Sequence, residues 1–303
     1  MNFPIITPEY LKPGDKIRII SPSGNIDPET IIKAKSLIEL WGFEVEISEN
    51  AFAVDGRFAG TDMQRAKDLN DAFKDPTVKA ILCSRGGYGI VRLFGMIDED
   101  LIKANPKWLL GYSDVTALHQ LLLKNGISSV HCQMTSAITK NPDSDSVKKI
   151  KDLITGNHYL IKTENKSPLN IIGEANARLC GGNLAVISGL RGTDYDFDYQ
   201  NKILFIEDIG ETPYKIDRFV QNLRIGNIFS AISGLIIGQF TDCGGDNSKE
   251  IIYNNIYQVV KQYNIPVCFD FPIGHVDNNL PVIQGASVYF AVSENDIKLQ
   301  FKR

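Results

Sequence analysis

The sequence lacks three features that would each point to a particular class of protein. Its five cysteines are widely separated and form no Cys-x-x-Cys pair, so neither a disulfide framework nor a zinc site is predicted. No apolar run approaches the ~18 residues of a membrane-spanning helix. Thirty-two Lys and Arg against 36 Asp and Glu give a formal charge of −4. Because no stretch concentrates the basic residues, nucleic acid and anionic membranes are poor candidate partners.

The first residues also lack the basic and apolar regions of a secretory signal peptide, so a cytoplasmic location is expected. What is present is the composition of a folded globular chain, with 43% hydrophobic and 22% charged residues. At a working figure of roughly 150 residues per domain, 303 residues predict two domains.

The first part of the chain alternates strand-like and helix-like segments. Short β-rich runs are separated by helices that begin near Asp27, Thr61 and Asp114. This alternation predicts an α/β domain with a parallel sheet covered by helices on both faces. The predicted strands cover residues 16–21, 43–47, 78–84, 107–111 and 128–132.

The composition changes after residue 138, where polar turn residues are followed by an irregular polar segment. We therefore place an α/β domain at residues 1–145, a linker region at 146–167 and a second domain at 168–303. Strands outnumber helices in the second domain and its last two strands form a predicted hairpin, so we expect a smaller, β-rich α+β or barrel-like domain. Its predicted strands cover residues 169–172, 202–207, 234–239, 267–271, 287–292 and 297–301, and its predicted helices cover 182–190, 214–223 and 250–263.

Ser113 is the most informative candidate for a catalytic residue. A buried strand ends at Gly111, and a helix begins directly after the serine. Such a turn is typical of a nucleophile elbow, which presents the serine oxygen at the edge of the sheet beside backbone N–H groups of the helix start. The G-x-S-x-G pattern is incomplete, because Val115 occupies the second glycine position. Ser113 as a simple N-cap of the helix is the alternative.

A glycine-rich turn, with Gly86, Gly87 and Gly89, follows the third predicted strand. Ligands bind beyond the carboxyl ends of parallel strands, so this turn and Ser113 are expected to share one crevice. Three roles fit the turn: a phosphate cradle, an oxyanion-hole donor, or a plain structural turn. The Walker and G-x-G-x-x-G patterns are both absent.

A serine nucleophile requires a base, and the chain has four histidines. His119 lies six helical positions after Ser113, roughly 240° around the axis, and is predicted to face elsewhere. His158 falls in the polar linker and is predicted to be solvated. His131, at the end of a neighbouring strand, and His275, in a loop after a later strand, both stay open as the base.

Glu207 is the candidate for the acid that orients this base. It is the first polar residue after an apolar strand, and Asp208 and Glu211 follow it. Carboxylates that cluster where a buried strand emerges often mark a site, although they also fit ordinary loop chemistry. The chain order Ser, Glu, His is the order found in other hydrolases whose nucleophile lies on a parallel sheet.

Short segments in a fixed order suggest a known family. They are residues 11–15 (LKPGD), 19–23 (IISPS), 84–89 (SRGGYG), 111–114 (GYSD), 181–184 (GGNL), 204–208 (LFIED), 213–214 (PY), 216–218 (IDR) and 274–275 (GH). This ordered set resembles the serine LD-carboxypeptidase family, which comprises the murein tetrapeptide carboxypeptidases with the microcin C self-immunity peptidases as a sister group. The resemblance extends from about residue 11 to past residue 285.

The resemblance implies a flavodoxin-like amino-terminal domain, a smaller β-rich carboxyl-terminal domain and an active site in the cleft between them. It assigns Ser113 as the nucleophile, His275 as the general base and Glu207 as the orienting acid, with the backbone N–H groups of Gly87 and Asp114 as the oxyanion hole. It implies no metal or other cofactor, a homodimer and a small peptide substrate. The implied reaction removes the terminal D-Ala from murein tetrapeptides during peptidoglycan recycling.

The chain departs from the family pattern at residues 132–133 (CQ), at Val276 and at residues 281–285. These departures leave the implied triad intact and bear on substrate preference. One alternative is a peptidase that cleaves peptidyl aminoacyl-adenylates, as the immunity peptidases do. Trp41 and Trp108 both lie in the first domain, which argues against a tryptophan stacking on adenine in the second. Another alternative is a non-catalytic protein that binds a phosphorylated ligand at the glycine-rich turn.

Overall fold

The computed structural model describes residues 5–157 and 159–302, so His158 lies outside the described residues. The chain divides into two compact units. Unit 1 consists of Met1–His158 and Leu280–Gln284, and unit 2 consists of Tyr159–Asn279 and Gly285–Arg303. A short segment of unit 1 therefore interrupts unit 2 in the sequence.

Strands and helices alternate through the first half, and strands dominate the end of the chain. The strands are β1 (Lys16–Ile20), β2 (Glu44–Ile47), β3 (Val78–Cys83), β4 (Trp108–Gly111), β5 (Ser129–His131), β6 (Leu160–Glu164), β7 (Gly173–Asn183), β8 (Lys202–Ile209), β9 (Gly234–Thr241), β10 (Val267–Cys268), β11 (Val282–Gln284), β12 (Ser287–Val292) and β13 (Asp296–Phe301). The helices are α1 (Pro28–Glu39), α2 (Asp62–Lys74), α3 (Glu99–Ala104), α4 (Thr116–Lys124), α5 (Thr135–Lys140), α6 (Asp145–Ile154), α7 (Leu184–Leu190), α8 (Pro213–Ile225), α9 (Ile228–Ala231) and α10 (Ser248–Val260).

The sheet of unit 1 has the strand order β11-β5-β4-β3-β1-β2. Strands β1 to β5 are parallel to one another, and the order 2-1-3-4-5 is that of flavodoxin-like doubly wound folds. The predicted flavodoxin-like sheet is thus confirmed. β4 is buried throughout and β3 almost throughout, which explains why both strands are continuous apolar runs in the sequence.

The helix starts of unit 1 follow from local capping chemistry. The Asp27 side chain caps α1, with Pro28 at its first position, and Thr61 and Gln64 form a reciprocal capping box at the start of α2. Both predicted starts are confirmed. The helix predicted from Asp114 instead begins two residues later, as α4, after a short 3-10 turn.

The edge of this sheet is completed by a strand from far along the chain. β11 pairs antiparallel with β5, so that Val282 lies opposite His131 and Ile283 opposite Val130. No strand was predicted at these residues. Because β11 takes up the outer hydrogen bonds of β5, it is β11 that forms the edge of the sheet there.

Unit 2 contains a mixed sheet with the order β10-β9-β8-β7-β12-β13-β6. β7 to β10 run parallel, whereas β12, β13 and β6 continue the sheet in antiparallel fashion from β7. The predicted final hairpin, β12 and β13, is confirmed, as is the mixed α+β character. Among the described residues of the whole chain, no helix combines the length and apolarity needed to cross a membrane.

Two local predictions differ from the structure. The region placed as a linker, residues 146–167, contains most of α6, a helix that was not predicted, and β6 in its irregular part. Four apolar residues at helical spacing form the buried side of α6, and the surrounding Lys and Asp residues concealed this periodicity. These residues are Val147, Ile150, Leu153 and Ile154.

The predicted strand at residues 169–172 is wrong, because the strand is β7 and starts at Gly173. The helix predicted over 182–190 starts at Leu184 instead, because Gly182, like Gly181, belongs to β7. A Cβ on Gly181 would lie 1.9 Å from the backbone oxygen of Phe205, so only glycine permits β7 to approach β8 this closely.

Candidate active site

Ser113 occupies a strained turn at the end of β4 in unit 1. Its φ is +65°, a left-handed conformation that costs a non-glycine residue about 1–2 kcal/mol. It is the first residue of the 3-10 turn Ser113–Val115, and no side chain caps either that turn or α4. The N-cap alternative is therefore wrong. The strained strand-to-helix turn matches the geometry of a nucleophile elbow.

Gly86 lies against the Ser113 side chain. A Cβ on Gly86 would be 2.7 Å from Ser113 Cβ and 2.9 Å from Ser113 Oγ, distances that no real side chain tolerates. The Gly86 carbonyl in turn accepts a hydrogen bond of 3.1 Å from the N–H of Gly24. The glycine-rich turn thus contacts the elbow directly, and the loop after β1 is hydrogen-bonded to that turn.

Asp114 ties these loops to the elbow through a buried carboxylate. Its side chain, 3% exposed, accepts hydrogen bonds from Ser23 Oγ at 2.7 Å and from the Ile90 N–H at 3.0 Å. Burial raises the pKa of this carboxyl, against the hydrogen bonds and nearby arginines that lower it. Within the described residues, no backbone carbonyl accepts from the N–H of Asp114 or of Gly87. Both N–H groups therefore have no backbone acceptor in the described part of the chain, and a developing oxyanion requires such donors.

A buried arginine is hydrogen-bonded to both the loop after β1 and the glycine-rich turn. Arg65, 1% exposed, donates from Nη1 to the carbonyls of Pro22 at 2.7 Å and Gly89 at 3.0 Å. Its Nη2 pairs with Asp62, and the guanidinium lies 5.0 Å from the centre of the Phe58 ring. The loop after β1 and the glycine-rich turn are therefore both fixed to one cation.

The two described histidines of unit 1, His119 and His131, are both buried. His119 does not simply face away, because its Nε2 is 2.9 Å from the Gly111 carbonyl and its Nδ1 is 2.7 Å from Ser129 Oγ. Burial lowers the pKa of His119 to about 4, so the ring is neutral near pH 7. Its contact with the Gly111 carbonyl supports the residue two positions before Ser113. His131 is completely buried and packs edge-on against Tyr112, with ring centres 5.7 Å apart.

In unit 2, the structure brings Glu207 and His275 together. Glu207, near the end of β8, is 0% exposed, and its Oε2 accepts a hydrogen bond of 2.7 Å from His275 Nδ1. Burial alone would lower the pKa of His275, but the charge and hydrogen bond of Glu207 outweigh it and the pKa is raised. With Nδ1 protonated, the basic nitrogen of the neutral ring is Nε2.

Two glycines allow this pair to form. Gly274, directly before the histidine, has a φ of +124°, and a Cβ there would be 2.9 Å from Glu207 Cβ and 3.0 Å from its Oε2. Gly238 on β9 packs against Glu207 from another side, where a Cβ would be 3.2 Å from Glu207 Cβ. The Gly274 N–H is anchored by Asn279 Oδ1 at 2.9 Å. The loop carrying His275 is thus held close to β8.

Asp208 is a second buried acid, next to Glu207 in sequence. Its carboxylate accepts hydrogen bonds from Asn183 Nδ2 at 2.9 Å, from the Ala185 N–H at 2.9 Å and from the Ile209 N–H at 2.8 Å. Burial, followed by the charge of Glu207, raises the pKa of Asp208 to about 7, although these three donors oppose the shift. Asp208 therefore joins β8 to the end of β7 and the start of α7.

The two halves of the chain match domain models of one family. The LD-carboxypeptidase N-terminal domain matches residues 17–132, and the LD-carboxypeptidase C-terminal domain matches residues 176–290. The chain belongs to the LD-carboxypeptidase family. The resemblance stated from the sequence is thereby confirmed, and the enzyme is of the serine LD-carboxypeptidase class. The non-catalytic alternative receives no support from this membership.

Individual LD-carboxypeptidases are similar over nearly the whole chain. A probable murein peptide carboxypeptidase of Bacillus subtilis is 33% identical over 296 residues, covering 95% of this chain and 92% of that protein. The crystal structure of muramoyltetrapeptide carboxypeptidase from Oxalobacter formigenes has a TM-score of 0.87 at 26% identity, covering 95% of this chain and 99% of that one.

The microcin C7 self-immunity protein MccF, in complex with aspartyl sulfamoyl adenosine, has the same fold. Its TM-score is 0.86 at 22% identity, with 98% of this chain and 99% of that chain covered. At this identity the likeness shows the architecture alone.

Several residues of this LD-carboxypeptidase around the proposed site were not singled out from its sequence. Ser23 and Asn183 stand in segments that carried the family resemblance, so those segments were the available signal. No feature of the sequence pointed to Arg65, since an arginine inside a helical pattern is ordinarily a surface residue. His119 was dismissed by its helical angle from Ser113, and its contact with Gly111 depends on tertiary structure.

Proposed function

We propose that this LD-carboxypeptidase hydrolyses the amide bond between the third residue and the terminal D-Ala of murein tetrapeptides. Ser113 is the nucleophile, His275 the general base and Glu207 the acid that orients it. The N–H groups of Gly87 and Asp114 form the oxyanion hole. The observation that carries the proposal is the 2.7 Å hydrogen bond between His275 Nδ1 and the fully buried Glu207, since it orients Nε2 as a base.

The chemistry follows from these assignments. Ser113 Oγ attacks the carbonyl carbon of the third residue while Nε2 of His275 removes its proton, and the resulting imidazolium is stabilised by Glu207. The oxyanion accepts hydrogen bonds from the N–H groups of Gly87 and Asp114. The carbon–nitrogen bond then breaks as His275 returns the proton to the amine of D-Ala. Water, activated by the same histidine, hydrolyses the ester and releases the tripeptide.

Incubation of the purified protein with murein tetrapeptide, with released D-Ala quantified, tests the proposal. We expect release by the wild type and a loss of about 10⁴-fold or more in Ser113→Ala. Ser36→Ala, at an exposed serine of α1, is the matched control and should retain activity. No D-Ala release by the wild type, or undiminished release by Ser113→Ala, would contradict the proposal.

A peptidyl aminoacyl-adenylate conjugate serves as the competing substrate in the same assay. Cleavage of this conjugate without D-Ala release from the muropeptide would replace the proposed substrate by the one predicted for immunity peptidases. The predicted cytoplasmic location and homodimer belong to the same proposal. Sedimentation of the purified protein at micromolar concentration tests whether it is a homodimer.

A further inference from the structure

The glycine-rich turn of unit 1 carries an arginine whose position is fixed. Arg85 directly precedes Gly86, the residue in contact with Ser113. Its Nη1 donates a hydrogen bond of 2.6 Å to the carbonyl of Asn25. The N–H of Asn25 donates to the carbonyl of Arg57 at 3.1 Å. Arg85 and Arg57 are therefore attached to the same residue of the loop after β1.

These two guanidinium groups differ from the other arginines of unit 1. Arg18 pairs with Asp75 at 2.6 Å, Arg92 pairs with Asp62 at 2.8 Å, and buried Arg65 also pairs with Asp62. In the described part of unit 1, no carboxylate lies within ion-pair distance of Arg57 or Arg85, and both are exposed. Two cationic side chains beside the elbow thus have no ion-pair partner among the described carboxylates of unit 1.

Both arginines are positioned to act near Ser113. Arg57 lies with its guanidinium carbon 5.6 Å from the ring centre of Tyr88, a residue of the same glycine-rich turn. Burial raises the pKa of Asp114, and Arg57 is among the charges that lower it, so the field of this cation reaches the residue next to Ser113. The Arg85 side chain lies against the loop after β1, because a Cβ on Gly24 would be 3.8 Å from its Cδ.

A carboxypeptidase differs from other peptidases in the group it must recognise beside the scissile bond. The departing residue carries a free α-carboxylate, only one residue from the carbonyl that is attacked. A planar guanidinium binds a carboxylate through two parallel hydrogen bonds, more selectively than an ammonium group does. The unneutralised arginines beside the elbow have the chemistry and the place for this recognition.

We propose that Arg85, assisted by Arg57, binds the α-carboxylate of the residue that the enzyme releases. This assignment rests on the proposed function. A phosphate group presents the same chemistry to a guanidinium pair, so the experiment includes a phosphate probe, adenosine monophosphate.

The test compares two substrates, murein tetrapeptide with a free D-Ala carboxylate and the same peptide ending in D-alaninamide. We expect the preference of the wild type for the free acid, as a ratio of kcat/KM values, to fall about 10²-fold in Arg85→Met and about tenfold in Arg57→Met. Arg85→Lys should recover part of the preference. Arg224→Met removes an exposed arginine of α8 that is bonded to Gln221, and should leave the ratio unchanged.

Equal losses on both peptides in Arg85→Met would overturn the assignment, since they would indicate a structural role. If the wild type cleaves neither peptide, the proposed function fails, and calorimetry in the Ser113→Ala background decides this inference separately. Arg85-dependent binding of the acid over the amide would support it. Equal binding of both peptides, or Arg85-dependent binding of adenosine monophosphate alone, would overturn it.

Discussion

The elbow of unit 1 and the acid–base pair of unit 2 are held in place by different forces. At Ser113 the constraint is steric, because a positive φ and the contact with Gly86 fix the side chain. At Glu207 and His275 it is electrostatic, because a fully buried carboxylate orients the imidazole and raises its pKa. The elbow should therefore be sensitive to added volume and the pair to altered charge, and the predictions below test this contrast.

The largest effect is expected from Glu207→Gln, which keeps the shape and removes the charge. The neutral amide cannot stabilise the imidazolium and can favour the wrong tautomer, so kcat should fall by roughly 10³–10⁴-fold. The pKa of His275 should also fall, because the charge and hydrogen bond of Glu207 raise it more than the charge of Asp208 does. An NMR titration of the His275 ring in both proteins measures this, and an unchanged pKa would contradict an electrostatic constraint.

The contribution of the Glu207–His275 pair to the unfolding free energy changes with pH in a definite direction. A raised histidine pKa stabilises the fold fully below the unfolded-state value of about 6.5, and this contribution is lost as the pH rises through the folded-state value. The unfolding free energy of the wild type should therefore fall relative to that of Glu207→Gln across this range.

A smaller effect is expected from Gly86→Ala, which adds volume without charge. The new Cβ would displace Ser113 Cβ and Oγ, and a displacement of about 1 Å from the productive geometry costs roughly 10²-fold in kcat. The loss should be the same at every pH. Gly189→Ala in α7, where a Cβ meets nothing within 4 Å, is the control. A change in the shape of the pH profile in Gly86→Ala would show that the two constraints are not separate.

The smallest effect on rate is expected from Asp208→Asn, since the Asp208 carboxylate is hydrogen-bonded to Asn183 and influences the imidazole of His275 through its charge. We expect a loss in kcat below about tenfold. Its folded-state pKa, about 7, exceeds the ordinary value of about 3.9, so the folded state binds the extra proton between these values. The unfolding free energy of the wild type, relative to Asp208→Asn, should fall as the pH rises from about 4 to 7. A flat difference would indicate an unperturbed Asp208.

The fold was predictable where local pattern and tertiary environment agree. The alternating apolar runs of unit 1 predicted its parallel sheet, and Asp27 and Thr61 predicted two helix starts. Prediction failed at α6, where charged residues concealed the apolar side, and at β7, where Gly181 and Gly182 belong to a strand because of its neighbour.

The candidate site was predictable residue by residue but not as a geometry. Ser113, Glu207 and His275 were each recognisable from their sequence surroundings and the family resemblance. The positive φ of Ser113 was not, because serine does not favour that conformation and only the surrounding structure imposes it. The burial of Arg65 and the hydrogen bonds of Asp208 likewise depend on contacts between segments far apart in sequence.

The pairing of β11 with β5 has a consequence for biosynthesis. β5 is synthesised before half of the chain has been made, but its partner Val282–Gln284 follows about 150 residues later. At typical translation rates this interval lasts on the order of 10 s. During that time the outer edge of β5 is unpaired in the nascent chain. A fragment that ends before residue 280 would keep this edge permanently, which makes such truncations prone to association.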